Sequence, residues 1–284
     1  MISEAFAPAK INLTLHVTGR RTDGFHLLDS LVAFATVGDR VTVTPAAAWS
    51  LQVTGPMAAG VPVDDGNLTL RAALMSEGTP CAITLDKHLP LASGIGGGSA
   101  DAAATLRALV ALDGRALPPD LTRLGADVPV CLRATPCRMS GIGETLDDVP
   151  CLPPIHAVLA NPRVAVPTPD VFARLAEKSN PPMPESLPDW PDTRAFARWL
   201  ATQRNDLERP AQDIAPVIGT VLSRLTATDG CLLARMSGSG ATCFGIYDSA
   251  LMATRAAESL RTRHPEWWVV TTRLGAGQTI RATT

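Results

Sequence analysis

Leu89 to Ala103 reads L-P-L-A-S-G-I-G-G-G-S-A-D-A-A. Glycine fills four of the five positions from 94 to 98 (Gly94, Gly96, Gly97 and Gly98). A glycine backbone can take positive φ and come close to a neighbour or ligand with no Cβ in the way. Immediately after it, Ser99 to Leu112 carries Ala102, Ala103, Leu106, Leu109 and Val110 at helical spacing, which predicts a packed helix. A helix that starts at a glycine loop aims its free N–H groups and the positive end of its dipole at that loop, an arrangement that holds phosphate. The segment is not a P-loop, which needs Gly-Lys-Ser/Thr, nor a dinucleotide fingerprint, which needs glycine where Ser99 stands. A flexible connection is the plain alternative, although slack gains nothing from a helix dipole.

Upstream, Lys10 to Thr18 alternates, with Ile11, Leu13, Leu15 and Val17 on one face of a predicted strand and Lys10, Asn12, Thr14 and His16 on the other. Arg40–Thr44, Ser50–Thr54 and Cys81–Asp86 read as further strands. Downstream of Val149 the pattern gives a strand at Ala157–Ala160 and a helix at Val171–Glu177, with Thr168 and Pro169 as its N-cap and first-turn pair. A proline-rich linker, Asn180 to Asp192, follows, then helices near Arg194–Gln203 and Ala215–Leu225. The C-terminal part offers strand Leu232–Met236, turn Ser237–Gly240, strand Ala241–Tyr247, helix Ala250–Arg263 and strand Trp267–Thr272. That order fits an α+β domain with helices on one face of an antiparallel sheet.

Three further segments could carry chemistry. In Leu124 to Leu132, L-G-A-D-V-P-V-C-L, Asp127 stands alone among apolar residues. Taken alone it reads better as a turn cap than as a working carboxylate. Paired with Lys10 the balance changes, because such a pair could handle a hydroxyl proton during phosphoryl transfer. Met236 to Thr242, M-S-G-S-G-A-T, reads on its own as a hairpin turn. In Asp23-Gly24-Phe25-His26 the aromatic and the histidine could stack on and hydrogen-bond a base, or simply dock the turn on the core.

Composition bounds the rest. The 284 residues are 46% hydrophobic and 18% charged, enough for one large or two modest cored domains. Net charge is −2 and no segment is densely basic, which argues against nucleic acid as the main partner. The six cysteines, with no C-x-x-C pair, read as reduced thiols of a cytoplasmic protein. Glu4 and Lys10 stand where an export signal needs an apolar run. The longest uncharged stretch, Val41 to Val63, alternates like strands and contains prolines, against a membrane span. Only three lysines occur, Lys10, Lys87 and Lys178, against 22 arginines, which singles out each lysine as a candidate for a specific role.

Together these segments resemble the GHMP kinase superfamily. The residues that carry the resemblance are A-P-A-K-I-N-L (7–13), G-R-R-T-D-G-F-H (19–26), the glycine block, L-G-A-D-V-P (124–129), P-T-P (167–169) and S-G-S-G-A (237–241), in order along nearly the whole chain. The glycine block alone points to the superfamily. The combination of P-A-K-I-N-L, D-G-F-H and G-A-D-V-P is similar to its branch acting on a diphosphocytidyl sugar alcohol. The fold this implies is α+β in two layers and two domains: an N-terminal ribosomal-protein-S5-like domain over 1–150 and a C-terminal ferredoxin-like domain over 151–284.

The activity it implies is ATP-dependent phosphorylation of the 2-hydroxyl of 4-diphosphocytidyl-2-C-methyl-D-erythritol, in the non-mevalonate route to isopentenyl diphosphate, by a cytoplasmic monomer or homodimer with neither nucleic acid nor membrane as partner. By resemblance, Asp127 is the catalytic carboxylate and Lys10 its partner. Pro90, Leu91, Ala92, Ser93, Gly94, Ile95, Gly96, Gly97, Gly98, Ser99 and Ala100 form the ATP-phosphate loop. Asn12 lies near the erythritol and phosphates, Phe25 and Phe172 sandwich the cytosine, His26 bonds its edge, and Thr168 lies close to the substrate. No run of carboxylates suggests a protein metal cage, so Mg²⁺ is expected on the nucleotide phosphates, at most touching Ser99. Phe25 replaces the commoner Tyr, and Ala92-Ser93 and Ala100 also depart from the usual small residues, Ala100 removing a hydroxyl. Two alternatives stand beside this reading: another GHMP kinase of homoserine or mevalonate type, and a non-catalytic ATP-binding regulator.

Overall fold

The computed structural model describes residues 2–275, so 276–284 of the expected second domain lie outside the described residues. The first half runs β1 (Ser3–Asn12), β2 (His16–Arg20), β3 (His26–Pro45), β4 (Ser50–Thr54), α1 (Leu68–Leu74), β5 (Cys81–Asp86), α2 (Gly97–Asp113), α3 (Val128–Arg133), β6 (Cys137–Gly141) and β7 (Thr145–Asp147). The second runs β8 (Ile155–Asn161), α4 (Thr168–Ala173), α5 (Thr193–Ala201), α6 (Glu208–Ile214), α7 (Val217–Thr226), β9 (Cys231–Met236), β10 (Cys243–Tyr247), α8 (Ala250–Arg263) and β11 (Trp268–Gly275). No helix among the described residues is long and apolar enough to cross a membrane.

One strand organises the sheet. β3 is 20 residues long, and tandem partners line both of its edges. On one edge β2 pairs residues 26–29 and β1 pairs 32–43; on the other, β6 pairs 28–32, β11 pairs Phe34 and Ala35, and β5 pairs 40–45. Through β11 the sheet continues to β8, β10 and β9, so strands from both halves of the chain share it. β1 and β2 are one extended segment broken by a bend at 13–15, where the sequence pattern predicts a continuous strand; Leu15 there bridges to Asn205 instead.

The alternation in this segment survives the bend and divides its two faces. Ile11 and Leu13 enter a core shared with Phe196, Phe244 and Ile246, while Leu15 and Val17 enter the core under α6, α7 and α8. The opposite face is also buried, with Lys10 at 4% and Asn12 at 1% exposure. β4, β5 and α8 match the predicted ranges residue for residue, while α2 starts two residues before the predicted Ser99, inside the glycines. Alanines bury α2 on nearly every side, which lets it lie close to β1, β3, α1 and α3, and burying Leu106 or Leu109 in it contributes about 1.5–3 kcal/mol. Thr168 does not cap α4: Pro167 takes the cap position, and the Thr168 hydroxyl pairs with Ser239 Oγ at 2.7 Å.

The proline-rich segment 180–192 is neither helix nor strand, and it is held down by charge. Arg138 donates from Nε and Nη2 to both oxygens of Asp29 at 2.7 Å and also to the carbonyls of Met183, Pro184 and Glu185. His16 fastens the same strap. Its Nδ1 meets the Pro181 carbonyl at 3.2 Å, and its Nε2 accepts the Arg204 N–H at 3.4 Å, which fixes the neutral tautomer with hydrogen on Nδ1. Burial drives its pKa below the ordinary 6.5, against the pull of the Pro181 carbonyl. A histidine depressed in this way contributes stability above pH 6.5 that is lost as pH falls through the folded value. The thermal midpoint is therefore expected to fall on acidification below 6.5, with a visibly shallower slope in His16→Gln; parallel slopes for the two proteins would show that His16 is not the titrating group.

Candidate active site

The glycine-loop segment is built from local constraints. Ser93 Oγ donates to the Pro90 carbonyl at 2.7 Å, closing the first turn of the loop. Gly96 then takes the N-cap position of α2 with φ 64°, a left-handed conformation that glycine adopts without strain. The first intrahelical bond runs from Ala100 N–H to the Gly96 carbonyl at 2.8 Å. The N–H groups of Gly97, Gly98 and Ser99 thus have no partner within the helix, and all three residues line a cavity of about 1220 Å³. They form the open, positive end of the dipole of a 17-residue helix.

The loop's glycines are also needed for close packing. A Cβ on Gly96 would lie 3.2 Å from Lys10, and Lys10 N–H donates to the Ile95 carbonyl at 2.9 Å, so the loop lies flat on β1. The Ser237–Gly240 turn, which the sequence reads as a hairpin, does join β9 to β10, and it docks on the loop as well. Thr242 N–H donates to the Ser93 carbonyl at 3.1 Å and Ser237 Oγ to the Gly94 carbonyl at 3.0 Å. Ser237 Oγ also accepts the Asn12 N–H at 3.1 Å, so one hydroxyl ties β1, the loop and the turn together.

Lys10 and Asp127 meet in this cavity, with Lys10 Nζ 2.8 Å from Asp127 Oδ2. Asp127 occupies the N-cap position of α3 but makes no side-chain cap bond; its carboxylate turns to Lys10 instead. The two side chains are 5% and 34% exposed, so the ammonium is enclosed while the carboxylate is open to the cavity. The arrangement presents a proton acceptor, held by a fixed positive charge, in the same cavity as the unpaired N–H groups of α2. Asn12 Nδ2 donates to Ser30 Oγ at 2.8 Å, and its buried Oδ1 has no partner.

The aromatic residues expected to hold the cytosine, Phe25 and Phe172, line the same cavity with His26. His26 stacks on Phe172 with centroids 4.6 Å apart and planes 21° apart, while Phe25 is 57% exposed. His26 Nε2 is buried without a partner, and burial with the nearby charges of Arg20 and Lys178 lowers the ring's pKa. Thr168, on α4, lines the cavity beside Ser239. Of the expected site residues, only Ile95 and Ala100 turn away from the cavity, into separate apolar cores. Lys87, Asp101, Arg20 and Lys178 line it without having been assigned a role from the sequence. The scarcity of lysine was the signal for two of them. Among the described residues no group of three or more His, Cys, Asp or Glu is placed to hold a metal ion.

Residues 67–150 match the family model for the GHMP kinase N-terminal domain, and 185–266 match that for the GHMP kinase C-terminal domain. The chain is 61% identical to 4-diphosphocytidyl-2-C-methyl-D-erythritol kinase of Dinoroseobacter shibae over 267 residues, covering 94% of this chain and 93% of that protein. It is 59% identical to the protein of the same name from Cereibacter sphaeroides, covering 96% and 99%. A crystal structure of 4-(cytidine 5'-diphospho)-2C-methyl-D-erythritol kinase superposes with a TM-score of 0.74 at 36% identity, covering 96% of this chain and all of that one. The homoserine kinase of Cytophaga hutchinsonii, with TM-score 0.66 and 18% identity over 97% and 96% of the two chains, shares the fold. With a glycine loop opening α2, a Lys10–Asp127 pair in the same cavity, and this degree of identity over nearly full length, the chain belongs to the 4-diphosphocytidyl-2-C-methyl-D-erythritol kinases of the GHMP kinase superfamily.

Proposed function

We propose that the protein transfers the γ-phosphoryl group of ATP to the 2-hydroxyl of 4-diphosphocytidyl-2-C-methyl-D-erythritol, giving the 2-phosphate and ADP. The observation that carries this reading is that a single cavity holds the open end of α2, the Lys10–Asp127 pair and the His26–Phe172 stack. Asp127 accepts the proton of the acceptor hydroxyl as its oxygen bonds to phosphorus and the bond to the β–γ bridging oxygen breaks. Lys10 holds that carboxylate in place and adds positive charge where the phosphoryl oxygens gather. The N–H groups of Gly97, Gly98 and Ser99 hold those oxygens from the other side. When bound, Mg·ATP supplies the phosphoryl group and the divalent charge.

At the far end Phe172, Phe25 and His26 offer ring faces and an unpartnered nitrogen to a cytosine. Thr168 and Asn12 face the middle of the acceptor. In this reading residues 1–150 hold the nucleotide and the catalytic pair, and 151–284 close over the acceptor. The chain acts as a monomer or homodimer, and its six unpaired thiols support a reducing, cytoplasmic setting. The presence of both Lys10 and Asp127, in contact, weighs against a non-catalytic regulator. ADP release with Mg·ATP, measured separately with the cytidyl compound, homoserine and mevalonate, tests the assignment. Turnover with the cytidyl compound alone is expected, and comparable turnover with another acceptor overturns it.

A further inference from the structure

Behind the phosphate loop lies a buried cluster that the transfer step does not use. Lys87, just past the end of β5, is 2% exposed and donates from Nζ to Asp39 Oδ2 at 2.5 Å and to Asp101 Oδ2 at 2.6 Å. Asp39, on β3, is fully buried, and its Oδ1 accepts the N–H groups of His88 at 2.5 Å and Leu89 at 2.8 Å. Those two residues are the first stem of the loop. Asp101 belongs to the opening turns of α2, the second stem, and is 2% exposed. One ammonium therefore bridges both stems. It also lies against the point where the helix opens, because a Cβ on Gly97 would sit 3.3 Å from Lys87 Nζ.

Burying three ionisable groups is costly, and a packed apolar cluster of the same volume would hold the fold as well or better. The cost is concentrated where the backbone N–H groups of 97–99 must keep a fixed spacing, since hydrogen bonds to a developing charge lose their value when their donors shift by about 1 Å. We propose that Lys87, Asp39 and Asp101 form a clasp that sets the distance between the two stems of the phosphate loop, making Lys87 and Asp101 positioning residues for the nucleotide. The clasp rests on the reading that ATP phosphate sits at the N-terminus of α2. Its charge state suits that place. Burial pushes the Asp101 carboxyl above the ordinary carboxylate range, with Lys87 opposing and Asp39 adding to the rise, which lessens the negative charge held beneath the triphosphate.

The test is equilibrium binding of Mg·ATP without acceptor, by calorimetry, alongside the thermal midpoint and the KM for the acceptor. Asp101→Leu is expected to weaken Mg·ATP at least tenfold, with acceptor KM within about twofold. Asp101→Asn, which can still accept from Lys87, should restore affinity to within about threefold. Lys87→Arg keeps the charge and both partners but is too bulky for the space beside Gly97; it should also lose at least tenfold, and it decides the matter if Asp101→Leu fails to fold. A lowered midpoint with unchanged Mg·ATP affinity in the folded variants would make the cluster a plain stability element and overturn the clasp. Failure of the parent protein to bind Mg·ATP would overturn the nucleotide reading itself, and the clasp with it.

Discussion

Asp127→Asn is expected to lower kcat by about 10²–10⁴-fold while leaving the thermal midpoint and the affinity for Mg·ATP close to those of the parent. The substitution is nearly isosteric, and Asn Oδ1 can still accept from Lys10 Nζ, so the enclosed ammonium keeps a partner. Because the Asp127 side chain is 34% exposed to the cavity, little desolvation energy changes hands. What disappears is the carboxylate that accepts the hydroxyl proton in the proposed reaction. Steady-state kinetics with separate titration of nucleotide distinguishes this from a binding defect. A variant turning over within tenfold of the parent would strip Asp127 of the base role and leave it as an electrostatic anchor for Lys10.

Gly94→Ala should produce the largest loss of stability of any single-methyl addition in the loop, about 2–5 kcal/mol, and with it the loss of nucleotide binding. Gly94 has φ 73°, and a Cβ there would lie 2.6 Å from the carbonyl oxygens of both Ser237 and Gly240. Those oxygens are backbone, so they cannot swing aside. Relieving the overlap means parting the loop from the 237–240 turn and breaking the Ser237 and Thr242 bonds that join them. Gly114, at the C-terminal end of α2, is the natural control. Its φ is 72°, but nothing lies within 4 Å of its added Cβ, so Gly114→Ala bears only the left-handed backbone cost of about 1–2 kcal/mol. Urea unfolding of the two variants measures the difference; equal losses would mean that the loop and the turn are not held in contact.

Much of this architecture was legible because its signals are local. The period-2 pattern of 10–18, the β-branched runs of β4 and β5, and the amphipathic span of α8 are each decided by residues a few positions apart. The glycine run announced a close approach of backbone, and the helix behind it announced an open N-terminus beside that loop. Short helices such as α1, α3 and α6 gave no such signal, since six or seven residues are too few to show a period. Thr168 illustrates a local rule overridden: its hydroxyl forgoes the cap for Ser239, 71 positions away in sequence.

By itself the sequence determined the strongly patterned segments, such as β4, β5, α2 and α8, along with where the backbone needs glycine and which few residues carry charge into apolar surroundings. Only the tertiary structure decided which of those charges meet. Lys10 lies 117 positions from Asp127, and either could have been satisfied locally, Asp127 as a cap on α3 and Lys10 in solvent. The same holds for Lys87, whose partners come from β3 and α2, and for the 237–240 turn, which reads as an ordinary hairpin until it docks on the loop. The physical reason is one of range. Backbone preferences and periodicity act over a few residues, whereas ion pairs, orphaned helix N–H groups and close backbone packing are settled by whatever the folded chain brings within about 3–4 Å.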